Sequence, residues 1–111
     1  MNLKHKYKTN DGKLALLVYQ DGDDWIAGFD GYEWHTHGYL LVPEYGDSPA
    51  IAIENFVKDI LEDREIIAIS DFPNKRSLIT ITDDPESERK LKLPEETLIF
   101  RTWSGKKRGQ D

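Results

Sequence analysis

The sequence places two histidines and a glutamate close together, at Glu33, His35 and His37. Side chains two residues apart on a β-strand point to the same face, about 7 Å from one another. A strand here would therefore gather one carboxylate and two imidazoles, which with a further ligand can hold a transition metal ion. The alternative is that all three are polar side chains of an exposed strand face, because no second motif accompanies them. We expect no metal and no cofactor, and keep Glu33, His35 and His37 as the metal-binding alternative.

Patterns for covalent or acid–base catalysis do not stand out in the sequence. The chain has no cysteine, so it has neither a thiolate nucleophile nor a thiolate metal cage. No serine stands in a nucleophile elbow, and no glycine-rich phosphate loop occurs. The segment Asp21-Gly22-Asp23-Asp24 resembles the start of a calcium loop, but the rest of the EF-hand pattern does not follow. Among the 21 acidic residues, no two stand out as a general acid and a general base. We therefore expect no enzymatic activity and no catalytic residues.

Negative charge is concentrated in the body of the chain. The formal net charge is −6, but residues 9–100 carry 20 acidic and 8 basic side chains, whereas residues 1–8 and 101–111 together carry 7 basic and 1 acidic. Within residues 21–72 there are 13 acidic side chains against Lys58 and Arg64. Such a segment repels the phosphates of nucleic acid and attracts a basic protein, whose encounter it also accelerates. The alternative is that the charge serves solubility alone.

The basic ends are the part of the chain that could contact nucleic acid. Lys4, Lys6 and Lys8 share one face of the first predicted strand, and residues 106–108 read Lys-Lys-Arg. Neighbouring terminal strands would join them into one basic stripe. Alternating lysines also protect an edge strand from pairing with another chain. Since the acidic body opposes phosphate binding, we expect no nucleic-acid partner.

Aromatic side chains are interleaved with acidic ones between Tyr19 and Tyr45. Tyrosine and tryptophan anchor protein interfaces, and carboxylates pair with the arginine or lysine of a basic partner. The alternative is that Trp25, Phe29 and Trp34 are core residues and that the aspartates only form turns. We predict a partner-binding surface made of two acidic loops and the outer side of a helix: Asp21, Asp23, Asp24, Asp30, Tyr32, Glu33, Trp34, Glu54, Asp59 and Glu62.

The elements that would position these residues begin with a β-meander. Asp-Gly pairs at 11–12, 21–22 and 30–31 are typical of tight hairpin turns, because glycine accepts the positive φ that such turns need. The segments between these turns are rich in strand-forming residues. A fourth strand is predicted over 33–42, where Trp34, Thr36, Leu40 and Val42 share one face.

A helix follows the meander, and further strands follow the helix. Ser48 or Asp47 can cap a helix from Pro49 to Asp63, in which apolar residues recur with helical spacing. Strands are predicted at 65–70, 77–82 and 97–103, with a short one around Leu91 and Leu93. The predicted fold class is α+β, with one curved antiparallel sheet of about six to eight strands and the helix packed on one face.

Length and hydropathy bear on domain organisation and location. We predict a single α+β domain over residues 1–103 and a polar, flexible tail over residues 104–111. No apolar stretch approaches the roughly 18 residues of a membrane-spanning helix, and no apolar run follows Met1. The absence of cysteine fits a reducing compartment. We therefore expect a cytoplasmic protein without a membrane partner.

These features together resemble the immunity proteins of bacterial polymorphic-toxin and contact-dependent growth-inhibition systems. The resemblance rests on a small, acidic, cysteine-free chain and on residues 17–25, 30–35 and 50–56. It implies a cytoplasmic protein that binds a cognate toxin, often a basic nuclease, and blocks it by steric and electrostatic occupation. The other two hypotheses are a small metal- or ligand-binding domain and a housekeeping protein-interaction module.

Overall fold

The computed structural model describes residues 2–106 of the chain. Seven strands and three helices are present among these residues. In chain order they are β1 (Asn2–Lys8), β2 (Ala15–Asp21), β3 (Asp24–Phe29), β4 (His35–His37), α1 (Gly38–Tyr45), α2 (Pro49–Leu61), β5 (Ile66–Asp71), β6 (Leu78–Thr82), α3 (Pro85–Lys90) and β7 (Thr97–Arg101).

The first four strands form the N-terminal sheet, which is antiparallel in the order β1-β2-β3-β4. Asp21 pairs with Asp24, so only Gly22 and Asp23 lie in the turn between β2 and β3. Gly22 has a φ of 60°, which confirms the hairpin predicted at this Asp-Gly pair. Strand β1, with its alternating lysines, is an edge of this sheet.

Helix α2 confirms the predicted helix and holds the core together. The Ile51 N–H donates to the Ser48 hydroxyl at 3.3 Å, and Pro49 occupies the first turn, where its missing N–H does no harm. The helix ends at Leu61, two residues before the predicted end. Its side chains Ile53, Phe56, Val57 and Ile60 pack in one apolar cluster that includes residues of both sheets. The other members of the cluster are Leu14, Leu16, Val18, Ala27, Phe29, Ile67 and Ile79.

The last three strands form a separate C-terminal sheet in the order β6-β5-β7. The α+β class is confirmed, but the prediction of a single curved sheet of six to eight strands is wrong: the strands divide into sheets of four and three. The two helices between β4 and β5 carry the chain away from the edge of the first sheet. Consequently β1 and β7 lie in different sheets, and the two basic ends do not meet on neighbouring strands.

The predicted fourth strand over residues 33–42 is confirmed only for His35–His37, because residues 33–34 lie in the loop before it and residues 38–42 lie in a helix. Helix α1 begins at Gly38, which is buried against Pro49; a Cβ at Gly38 would lie 2.4 Å from the Pro49 carbonyl oxygen. This close approach admits only glycine and turns the chain into the helix. Leu41 and Tyr45, four residues apart, both pack against the core.

The short strand predicted around Leu91 and Leu93 is also wrong. Helix α3 occupies residues 85–90, capped by Asp84, whose carboxylate accepts the Ser87 N–H at 3.2 Å. Leu91 and Leu93, which follow the helix, are 77% and 56% exposed. Their alternation with lysines is therefore no sign of sheet pairing.

The end of the described chain is tied to both sheets. Arg101 is buried at the end of β7 and donates to Asp11, in the loop between β1 and β2, at 2.8 Å. The Ser104 N–H donates to the Asp63 carboxylate at 2.8 Å. Residues 107–111, the rest of the predicted tail, lie outside the described residues. None of the helices within residues 2–106 is long and apolar enough to cross a membrane.

Candidate functional site

The two faces of the N-terminal sheet have different surroundings. Side chains alternate along each strand, and register partners share a face. Leu16, Val18, Ala27 and Phe29 point inward and pack with α2. The opposite side, which we call the outer face, carries two rows of register partners: Tyr19, Ile26 and His37 in one row, and Lys6, Leu17, Gly28 and His35 in the next.

An open cleft of about 320 Å³ lies along this outer face. All of its lining residues come from β2, β3, β4 or the loop before β4, and no helix contributes. Gly28 lies in the lining, and a Cβ there would lie 3.0 Å from the Trp34 carbonyl oxygen, so a glycine lets the start of β4 pack closely against β3. The lining residues are Leu17, Tyr19, Ile26, Gly28, Phe29, Asp30, Gly31, Tyr32, Glu33, Trp34 and His35.

The two histidines lie together on this face. Their ring centroids are 5.1 Å apart, with the rings nearly perpendicular. His37 Nδ1 is hydrogen-bonded to Asp24 Oδ2 at 2.8 Å, which ties the end of β4 to the start of β3. The His35 Nδ1–H donates to the main-chain carbonyl of Glu33 at 3.0 Å, because a carbonyl oxygen can only accept.

This geometry does not support the metal-binding alternative. Glu33 offers His35 its carbonyl rather than its carboxylate. His37 has Asp24 as its partner across the sheet. Within residues 2–106, no group of three or more histidine, aspartate or glutamate side chains is arranged to hold a metal ion. The set of Glu33, His35 and His37 therefore does not form a metal site in the described part of the chain.

The predicted acidic loops lie at opposite ends of β3. Asp21, Asp23 and Asp24 surround the turn before this strand, whereas Asp30 and Glu33 follow it. Six residues of strand separate them by about 17 Å. The outer face lies between the two loops, so it connects them: Asp30 and Glu33 line its cleft, and Asp24 reaches it through His37.

Two predicted partner-binding aromatics contribute to the core as well as to the cleft. Tyr32 and Trp34 line the outer cleft, yet both are half-buried against the apolar cluster. The Trp34 ring centroid lies 5.8 Å from that of Phe29 and 6.4 Å from that of Phe56. These two side chains therefore hold the loop in place while exposing only part of their surface.

The predicted carboxylates of α2 do not join this surface. Helix α2 packs on the inner face of the sheet, and Glu54 lines a separate cleft beside Tyr7 and Trp25. Arg64 pairs with both Asp59, at 3.2 Å, and Glu62, at 2.9 Å. Glu54, Asp59 and Glu62 thus lie on the other side of the molecule from the outer face.

The sequence reasoning missed a group of carboxylates around Tyr45. The Tyr45 hydroxyl donates to Glu65 at 2.9 Å, and burial, this hydrogen bond and neighbouring carboxylates raise the pKa of Tyr45. Burial also raises the pKa of Glu65, as do the nearby charges of Asp83, Asp59 and Glu44, while the Tyr45 hydrogen bond opposes the rise. These residues come from four separate elements or loops, so no local spacing in the sequence predicts that they lie together.

The apolar centre of the outer face was missed as well, although β2 carried a signal for it. Leu16 and Val18 alternate with Leu17 and Tyr19, so both faces of this strand are apolar or aromatic. A strand with one solvated face normally alternates apolar with polar residues. The departure from that pattern marks a second apolar face.

No protein-family model, no curated protein and no solved structure matches the chain. The arrangement itself supports binding: apolar and aromatic side chains lie at the centre of an open sheet face, and carboxylates lie at both of its ends. A protein interface has the same layout, with an apolar centre and a polar rim.

Proposed function

We propose that this chain is a protein-binding inhibitor, an immunity protein that neutralises a basic bacterial toxin in the cytoplasm. The observation that carries the proposal is the outer face of the N-terminal sheet. Its apolar and aromatic centre supplies contact area, and the carboxylates at its ends supply charge. On this proposal the protein acts by occupying the toxin and performs no catalysis.

The charge around this face favours a basic partner. Residues 14–57 contain no lysine or arginine and eight acidic residues. Asp21 and Asp23 are exposed. Two basic side chains reach the other end of this face: Lys6, 3.9 Å from Asp30, and Arg76, whose guanidinium donates to the Gly31 carbonyl at 3.4 Å. The field of such a surface speeds the encounter with a cationic protein and repels phosphate.

The mechanism follows from the layout of the face. A nuclease binds the phosphates of its substrate in a cleft lined with arginine and lysine. The carboxylates of Asp21, Asp23 and Asp30 would pair with the arginine and lysine side chains that otherwise bind these phosphates. Tyr19 and Ile26 would exclude water from the centre of the contact. Pairs buried at the centre would govern dissociation, and exposed pairs at the rim would mainly govern association.

The test uses the product of the gene immediately upstream, where the proposal expects the toxin, co-expressed with this protein in a bacterial host. The variant D21K/D23K reverses two charges at one end of the outer face. The control E54K/E62K makes the same change in net charge at two exposed residues on the other side of the molecule, one on α2 and one directly after it. Growth with the toxin induced and the Kd of the purified pair at low salt are measured, and circular dichroism checks the fold.

We expect the wild-type protein to restore growth, D21K/D23K to raise the Kd by about tenfold or more, and E54K/E62K to leave it nearly unchanged. Equal losses from both variants would show that net charge matters and that the outer face does not. Binding without protection of growth would contradict the inhibitor role and favour a plain interaction module. No binding to the toxin would refute the proposal.

A further inference from the structure

A second cleft, of about 400 Å³, lies over the C-terminal sheet and shares Glu33 and Trp34 with the outer cleft. We call it the C-terminal cleft. Its residues come mostly from β5, β6, β7 and α3, so it is built differently from the outer cleft. The lining residues are Glu33, Trp34, Ala68, Ser70, Phe72, Leu78, Ile79, Thr80, Glu88, Glu96 and Leu98.

The floor of this cleft is the face of the C-terminal sheet that points away from the core. Ser70 pairs with Leu78 on β6 and with Leu98 on β7, so these three side chains form one row across the sheet. Ala68 pairs with Thr80 in the next row. Leu78 remains 54% exposed, because helix α3, which lies over part of this face, does not cover it. The floor therefore offers apolar contact to a bound molecule.

The charged groups lining the cleft are all carboxylates, from Glu33, Glu88 and Glu96. Glu96 is fixed in position, because its carboxylate accepts the Ser70 hydroxyl and the Leu93 N–H. The same two hydrogen bonds lower the pKa of Glu96. An ionised carboxylate thus stands directly above an apolar floor.

Two cations lie near this cleft without lining it. The Arg89 guanidinium lies 5.6 Å from the centre of the Phe100 ring and pairs with Glu86. The Lys75 amino group lies 5.7 Å from the centre of the Phe72 ring. No lysine, arginine or histidine is among the lining residues of the C-terminal cleft.

We propose that the C-terminal cleft binds a small organic cation: a primary ammonium group carried on an aromatic or short apolar body. The apolar body would rest on Leu78, Leu98 and Phe72, and the ammonium would face Glu88 and Glu96. The volume is within the range of small-ligand sites, in which an apolar lining is combined with a few polar groups. This site shares Glu33 and Trp34 with the outer cleft, but Glu88 and Glu96 line only the C-terminal cleft, so its failure can be distinguished from a failure of the toxin-binding proposal.

The test compares three probes that share one ring system: tryptamine, which is cationic, indole, which is neutral, and indole-3-propionate, which is anionic. Each is titrated into the full ¹⁵N-labelled chain while amide and indole N–H signals are followed by NMR. Trp34 lines both clefts, so the amides of Ser70, Leu78 and Leu98, which line only the C-terminal cleft, locate the binding. Trp25 and Trp103 line neither cleft and are internal references. We expect tryptamine to shift Trp34 and the cleft amides along a saturating curve, with indole weaker and indole-3-propionate without effect.

Two matched variants complete the test. E88Q removes a carboxylate from the cleft, whereas E95Q makes the same change at an exposed neighbour outside it. We expect E88Q to weaken tryptamine binding about threefold and E95Q to leave it unchanged. Equal shifts with all three probes would show that binding depends on apolar contact alone and not on the positive charge, which would overturn the proposal. Shifts that never saturate, or no shifts at millimolar tryptamine, would overturn it too.

Discussion

Each sheet turns one face to the shared core, but the N-terminal sheet leaves its other face open, whereas the C-terminal sheet has α3 over part of it. Residues lining the outer cleft all belong to strands and their loops. The second face of the C-terminal sheet instead meets Arg89, which lies over Phe100, and Glu96, which accepts the Ser70 hydroxyl. The two faces are therefore suited to different partners.

The difference shows how a cover changes what a sheet face can bind. An open face with carboxylates at its ends has room for another protein, because interfaces of that kind need a broad and accessible surface. The C-terminal face, on which Arg89 of α3 lies over Phe100, instead offers a cleft of about 400 Å³ with an apolar floor and three carboxylates, a combination that suits a small molecule. Three predictions about stability test whether the two sheets are in fact built this way.

The largest effect should come from the inner face of the N-terminal sheet. Leu16 is fully buried, and L16A should lower the free energy of unfolding by about 2–5 kcal/mol, because it leaves a cavity in the shared core. Tyr19, three residues further along β2, is half-buried on the outer face, and Y19A should lower the free energy of unfolding by only about 1 kcal/mol. Urea denaturation measures both. Equal losses would mean that the outer face is as tightly packed as the core.

The local elements that the sequence predicted correctly are those with complete local signals. Gly22 marked the β2–β3 turn, and Ser48 with Pro49 marked the start of α2. Helix α3 had a similar start in Asp84 and Pro85, but six residues are too short to show helical spacing, so the sequence predicted no helix there. The division into two sheets depends on which strands pair with one another, and no local sequence pattern predicts that pairing.

The candidate site was predictable to a similar degree. Composition located the acidic loops, yet they lie at opposite ends of β3 because the loops before and after any strand must do so. Glu54 and Glu62 are excluded from the outer face because α2 packs on the opposite side of the sheet. The side on which a helix packs is set by tertiary structure and not by a local sequence pattern. Tyr19 and Ile26 face the same way only because their strands pair in one register.

A smaller, pH-dependent effect should come from the contact that joins the two sheets. Hydrogen bonds from Thr9 and from the Lys13 N–H, together with the Arg101 guanidinium, hold the pKa of Asp11 well below its usual value. Folding therefore favours the carboxylate. The stability it contributes is complete above the ordinary pKa of aspartate, about 3.9, and is lost as the pH falls through the lower folded value.

Urea midpoints at pH 7, 4 and 3 measure this contribution. D11N should lower the midpoint at pH 7, and its deficit relative to the wild type should shrink as the pH falls. D47N, the same change at an exposed carboxylate, is the control. A deficit that stays constant from pH 7 to pH 3 would show that the charge of Asp11 does not connect the sheets.

The smallest effect should come from the cover over the C-terminal sheet. Arg89 lies on the Phe100 ring and also pairs with Glu86, so R89A removes a cation–π contact together with a partly exposed ion pair. We expect a loss of about 0.5–1 kcal/mol in the free energy of unfolding. K90A, at the exposed next position of the same helix, should change it by less than about 0.5 kcal/mol. Hydrogen exchange distinguishes the cover from the sheet, because R89A should speed exchange in α3 and leave the amides of β5 protected. Faster exchange throughout β5 would mean that α3 is part of the core packing, and the contrast between an open and a covered sheet face would then have to be abandoned.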